Sequence, residues 1–140
     1  MDKELAKIKL IKLKILKNIN GNVFRGYRSN EKENKNYGEV YFSRIKHNKI
    51  KAWKYHKKMK MALCVPYGKV KFVFCNLKTN KFRNIIVGEN NYKKILVPAK
   101  IWFGFMGKSK RESLIVNMAN IVHKTDESLK INLDKIKYKF

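Results

Sequence analysis

Gly88-Glu89-Asn90-Asn91-Tyr92-Lys93-Lys94-Ile95-Leu96-Val97-Pro98-Ala99-Lys100-Ile101-Trp102-Phe103-Gly104-Phe105 sets a polar, Asn-rich turn ahead of two short apolar runs, 93–97 and 101–105, divided by Pro98. Runs this short, bounded by turn residues and a proline, read as strands. The same rhythm extends in both directions. Downstream lies 113–121; upstream lie 85–87, 69–77 and 61–65, the last two joined through Pro66-Tyr67-Gly68. In 69–77 the apolar Val70, Phe72 and Phe74 alternate with the opposite face, the period of a strand. A turn at His47-Asn48 separates 39–45 from 49–56, and 29–38 is a polar loop. Near the start, 8–16 fits an alternating strand with one irregular step, and Asn20-Gly21-Asn22 turns it toward 23–27 as a hairpin. One short helix is expected near 124–130, with Thr125 as its cap. Many short strands between turn signals predict an all-β barrel or sandwich, one domain over 1–140 with its N-terminal hairpin in 1–28.

The 140 residues are enough for one core, and 44% apolar with 12% aromatic residues fits a folded chain. No apolar run reaches the roughly 18 residues of a membrane span, and the start lacks the pattern of a signal peptide. A cytoplasmic protein with no membrane partner is therefore expected. Cys64 and Cys75 lie in apolar runs and read as buried thiols, without zinc spacing. The net charge of +24 raises nucleic acid as a partner. The lysines, however, are spread from end to end, and no zinc finger, RNA-recognition motif or helix-turn-helix accompanies them. The charge reads mainly as solvated surface that focuses anionic ligands, with nonspecific nucleic-acid binding as a side property.

The segment from Gly88 to Phe105 resembles the E-N-x-x-x-L-x-I-P-x-G-x-A-H-G-F stretch of the dTDP-4-dehydrorhamnose 3,5-epimerases, with one residue more between Glu89-Asn90 and Pro98. Val65-Pro66-Tyr67-Gly68-Lys69-Val70 and the run to Leu77 resemble that family's V-x-x-G-x-V-x-D-V. Leu133-Asp134-Lys135-Ile136-Lys137-Tyr138-Lys139-Phe140 is similar to its closing D-P-x-L-x-I-x-W. The likeness runs from about Ile45 to the C-terminus. It implies a cupin-type jelly-roll β-barrel with at most one or two short helices. It also implies a nucleotide-linked keto sugar as substrate and a homodimer whose N-terminal strands pack on the partner.

The reaction of that family is epimerisation beside a ketone, which needs a base, an acid and a partner for the enolate oxygen. Its R-G-L-H-x-Q block fits without a gap onto Lys51-Ala52-Trp53-Lys54-Tyr55-His56, placing Lys54 at the base and Lys51 at the arginine. A two-residue slip places His56 at the base instead, at the expense of the small residue Ala52; the gapless register is preferred. Lys54 and His56, two apart on a strand, share a face in either register. A desolvated lysine among cations can act as a base, and histidine titrates near neutrality. The resemblance makes Lys60 the enolate-side lysine, Asp134 the residue that orients the base, and Glu89 a sugar or base contact. Its T-x-x-Y-x-P-x-x-E block resembles the one-residue-shorter 120–127, which puts His123 at the acid. Phe103 and Lys100 replace the histidine and turn glycine of A-H-G-F, so a metal site is not expected, nor any other cofactor. Trp53, Tyr55, Trp102 and Phe103 offer either an aromatic mouth for a ring or plain core.

The resemblance implies metal-independent epimerisation or keto-enol isomerisation of a nucleotide-linked 4-keto-6-deoxy sugar, in the synthesis of cell-surface polysaccharide such as lipopolysaccharide. Two other readings stand beside it: a sugar-nucleotide-binding protein without turnover, and a basic β-barrel for single-stranded nucleic acid.

Overall fold

The computed structural model describes residues 1–32 and 37–140, and twelve strands run through them. They are β1 (Lys9–Lys12), β2 (Ile15–Leu16), β3 (Val23–Phe24), β4 (Glu39–Ile45), β5 (Ile50–His56), β6 (Met61–Tyr67), β7 (Lys69–Asn76), β8 (Lys81–Gly88), β9 (Lys93–Val97), β10 (Trp102–Gly107), β11 (Ser113–Ala119) and β12 (Ser128–Lys130). Helical structure among these residues is limited to 3-10 turns at Leu5–Lys7, Thr125–Glu127 and Leu133–Lys135. The helix expected near 124–130 is thus one turn that passes straight into β12. Thr125 does not cap it: Lys124 holds the cap position, with no side-chain hydrogen bond. The expected strand over 8–16 is two strands, because β1 joins β9 while β2 pairs with β3 around Gly21. The first half of β8 is polar and unreadable as a strand from sequence; its eight-residue ladder with β7 makes it one. Part of the predicted loop, 33–36, lies outside the described residues.

Two five-stranded antiparallel sheets face each other, ordered β1-β9-β6-β11-β4 and β12-β5-β10-β7-β8. This is the jelly-roll architecture, in which each strand turns one row of side chains into a shared interior. Met61, Leu63, Val65, Val70, Phe72 and Phe74 are among the residues that fill that interior. The intervening side chains are buried too. Ala62 and Cys64 pack with Leu13, Tyr92 and Phe24 beneath the β2–β3 hairpin, on the outer face of the first sheet. Trp53, Val73 and Cys75 pack with Ile136, Tyr138 and Phe140 beneath the C-terminal segment, on the outer face of the second. Strands covered on both faces read as continuous apolar runs, as 61–65 of β6 does. Both thiols are buried and free, and burial pushes Cys75 up to about 11.

Turn geometry follows the residues that tolerate it. Asn48, Gly68 and Asn80 take positive φ between successive strands, and a side chain at Gly68 would strike Ser113 Oγ. Lys100 is the exception. It sits at φ +68 between β9 and β10, where the resemblance places a glycine. A non-glycine residue in this region costs about 1 kcal/mol. Lys100→Gly is therefore expected to raise stability by about 0.5–1 kcal/mol, seen as a higher urea midpoint with an unchanged slope.

Candidate active site

A cavity of about 440 Å³ opens between the sheets, within the range that holds a small ligand. Its two walls differ in chemistry. The first sheet contributes Tyr41 and Ser43 from β4, Ile115 and Asn117 from β11, and Met61 and Leu63 from β6. The second contributes Lys51, Lys54 and His56 from β5, Lys130 from β12, and Phe72, Phe103 and Phe105. No carboxylate lines the cavity among the described residues, so one wall is cationic and the other neutral and hydrogen-bonding. Lys54 is half-buried and Lys51 and Lys130 are exposed, and such a cluster attracts an anionic ligand to the cavity.

The cationic wall depends on a β-bulge. Phe103 pairs with Lys54, but the next residue of β10, Gly104, pairs with Ala52, so Trp53 is the extra residue. Plain alternation would place Lys51 on the opposite face from Lys54. The bulge returns it to the inside, opposite Phe105. Trp53 is turned out beneath the C-terminal segment, where its indole N–H donates to the Leu133 carbonyl at 3.2 Å. Lys130 pairs directly with Lys54 across β12–β5, which brings two ammonium groups to one patch. Burial lowers the pKa of Lys54, Lys130 lowers it further, and Glu127 opposes both.

His56 is 3% exposed, and its Nδ1 lies 2.6 Å from Glu127 Oε2. The carboxylate is held in turn: its other oxygen accepts the backbone N–H of Lys58 at 2.9 Å and of Met59 at 2.7 Å. Burial by itself would raise the Glu127 pKa, but the Met59, His56 and Lys58 hydrogen bonds bring it down to about 2. Burial lowers the pKa of His56 against the pull of Glu127, and Lys54 and His123 add to the lowering. The imidazole is therefore neutral near pH 7, and the contact is a hydrogen bond from Nδ1–H to a carboxylate. That fixes the tautomer and leaves the Nε2 lone pair as the free acceptor. Phe103, stacked on the ring at 5.8 Å, fixes its plane.

No family model matches the chain, and no curated protein matches it by sequence. Solved structures do match. A dTDP sugar isomerase from Desulfovibrio desulfuricans G20 superposes with a TM-score of 0.89 at 24% identity, over 95% of this chain and 90% of that one. The dTDP-4-dehydrorhamnose 3,5-epimerase from Bacillus anthracis str. Ames gives 0.80 at 14% identity, over 99% and 87%. The epimerase of the same name from Sulfolobus tokodaii gives 0.77 at 18% identity, over 95% and 81%. The fold is that of the dTDP-sugar isomerases and epimerases.

Within this epimerase-type jelly roll the residues singled out from sequence separate into two groups. Lys51, Lys54 and His56 come together in the cavity. The others do not line it. Asp134 is exposed on the turn Leu133–Lys135 and has no hydrogen bond or ion pair with Lys54 or His56; the carboxylate that holds His56 is Glu127. His123 is exposed, its backbone N–H donating to Glu39 at 2.8 Å, although it lies near enough to influence His56. Lys60 faces a separate depression with Lys7, Lys9 and Lys32, and Lys130 occupies the cavity instead. Glu89 does not line the cavity. It accepts Arg111 at 2.6 and 2.7 Å and the Gly68 N–H at 3.2 Å, while the buried Lys94 pairs with Glu31. Trp102 packs on Tyr55 outside the sheet, because Phe103 takes the inward position of β10. Of the four aromatics considered for a mouth, only Phe103 lines the cavity.

Proposed function

We propose that this chain is a metal-independent enzyme that enolises a nucleotide-linked 4-keto-6-deoxy sugar, leading to epimerisation or ketoisomerisation in a surface-polysaccharide pathway. One observation carries the reading: a neutral histidine inside a cation-lined cavity, its Nδ1–H held by a buried carboxylate. In this mechanism His56 Nε2 takes the proton from the carbon beside the ketone, and the C–H electron pair moves toward the carbonyl oxygen as an enolate. The Lys54 and Lys130 ammonium groups stabilise that oxygen, while Lys51 meets the diphosphate. The lysines also disfavour a metal cation in the same space. Tyr41 takes the acid role in place of His123: its phenol lines the opposite wall, so it can return a proton to the other face of the planar enolate. The dTDP-sugar isomerases and epimerases that share the fold support dTDP as the nucleotide.

The test is proton NMR in D2O with dTDP-, UDP- and GDP-linked 4-keto-6-deoxy sugars. Loss of a signal beside the ketone is the expected result. Saturable binding without exchange would instead make the chain a sugar-nucleotide-binding protein. The pH dependence carries a sign. Because His56 titrates below 6.5, exchange should be constant near neutrality and fall only below pH 6.5 as the base is protonated. Lys54→Gln should shift that fall to higher pH, since the Lys54 charge is one of the influences that lower His56.

A further inference from the structure

Asn117 stands at the centre of the neutral wall and is 5% exposed. Across the ladders of β11 it pairs with Tyr41 on one side and Leu63 on the other, and all three side chains face the cavity. An inward position in a central strand normally carries an apolar residue, as Ile115 does two residues earlier. The neighbouring Tyr41 phenol donates to Met59 Sδ at 3.3 Å, so its proton is not directed at the amide. The Asn117 Oδ1 is buried and has no hydrogen-bond partner. Turning the amide over would only move the deficit to the nitrogen. A buried amide end without a partner is costly, and such groups persist where a ligand completes them.

We propose that Asn117 is a specificity-determining residue that reads a hydroxyl group of the sugar, so that the substrate carries a free hydroxyl at the carbon held against β11. The proposal rests on the sugar-nucleotide reading above and refines it. A hydroxyl is the group that fits, because it can both donate and accept and so completes the amide in either orientation. The cationic wall then fixes the charged end and the ketone, while the neutral wall selects among sugars by their hydroxyl pattern. Discrimination of this kind is strong because the analogue lacking the hydroxyl leaves a buried polar group unpaired.

The experiment compares wild type with Asn117→Leu, which has similar volume and no polar atom, in two measurements. The first is thermal unfolding of the free protein. Asn117→Leu is expected to melt at or above wild type, because an unsatisfied group has been removed. A melting point several degrees lower would show that Oδ1 is satisfied within the protein and would overturn the proposal. The second is calorimetric titration with dTDP-6-deoxy-D-glucose and its 2-deoxy and 3-deoxy counterparts. Wild type should bind one of the deoxy compounds about 100-fold more weakly than the parent, and Asn117→Leu should bind all three alike. Equal binding of all three by wild type, or an equal loss for all three in the variant, overturns the proposal and leaves the sugar-nucleotide reading intact. Failure of wild type to bind any of the three overturns both, and the melt of the free variant still reports on the amide by itself.

Discussion

His56→Asn is expected to reduce solvent exchange beside the substrate ketone by at least about 1,000-fold, within the range for loss of a positioned general base. The asparagine amide can still donate to Glu127, so the buried carboxylate keeps a partner and the fold is retained. Binding of the sugar nucleotide should change little, because the lysines of the cavity carry the contacts to the anionic part of the ligand. The measurement is single-turnover exchange in D2O followed by NMR, beside a titration of the same sample. If exchange in the variant stays within tenfold of wild type, His56 is not the base. Lys54 then becomes the candidate, since it shares the cavity and its proton affinity is also reduced.

Glu127→Gln and Glu127→Ala separate the two tasks of this carboxylate. Glutamine keeps an oxygen for the Lys58 and Met59 N–H groups, but it can present an N–H to His56 Nδ1. The imidazole then carries its proton on Nε2 and loses its free acceptor. Exchange should fall by about 100- to 1,000-fold, as for a base held in the wrong tautomer, with little loss of stability. Alanine removes the acceptor for three donors, and unfolding should become easier by about 3 kcal/mol. Acid should act in the same sense. The folded-state pKa of Glu127 lies at about 2, below its ordinary 4.5. Its contribution to stability is therefore complete above pH 4.5 and is lost as pH falls toward 2. His56 adds an earlier loss that begins below pH 6.5, because the folded state binds that proton more weakly than the unfolded chain. Denaturant titrations across this range should show both stages in wild type and only the earlier one in Glu127→Gln.

Strand positions were legible because alternation and turn chemistry are local. Val70, Phe72 and Phe74 announce β7, and Asn48 and Gly68 mark turns. The same locality placed Lys54 and His56 on one face, which is where the cavity finds them. Where a strand carries polar residues, as at the start of β8, pairing with a neighbour decides the structure, and period-2 reasoning has no signal to use. The helix near 124–130 failed for a related reason: Ser128 to Lys130 bond to β5, and the ladder outcompetes a short, weakly capped helix.

The sequence by itself determined an all-β barrel or sandwich, which its family resemblance narrowed to the jelly roll, the burial of both thiols and the placing of Lys54 and His56 on one face of β5. Tertiary structure decided which charges meet. The bulge at Trp53, which returns Lys51 to the cavity, arises from the register between β5 and β10. Lys130 enters the cavity only because β12 pairs with β5, and Tyr41 and Asn117 become one wall only because β4 and β11 lie side by side. Glu127 reaches His56 across 71 residues of sequence, and Asp134, at a matching position of a motif, does not. Alternation is a property of each strand and can be read along it. The meeting of His56 with Glu127 depends on how the segment after β11 crosses the end of β5, and no local pattern encodes that distance.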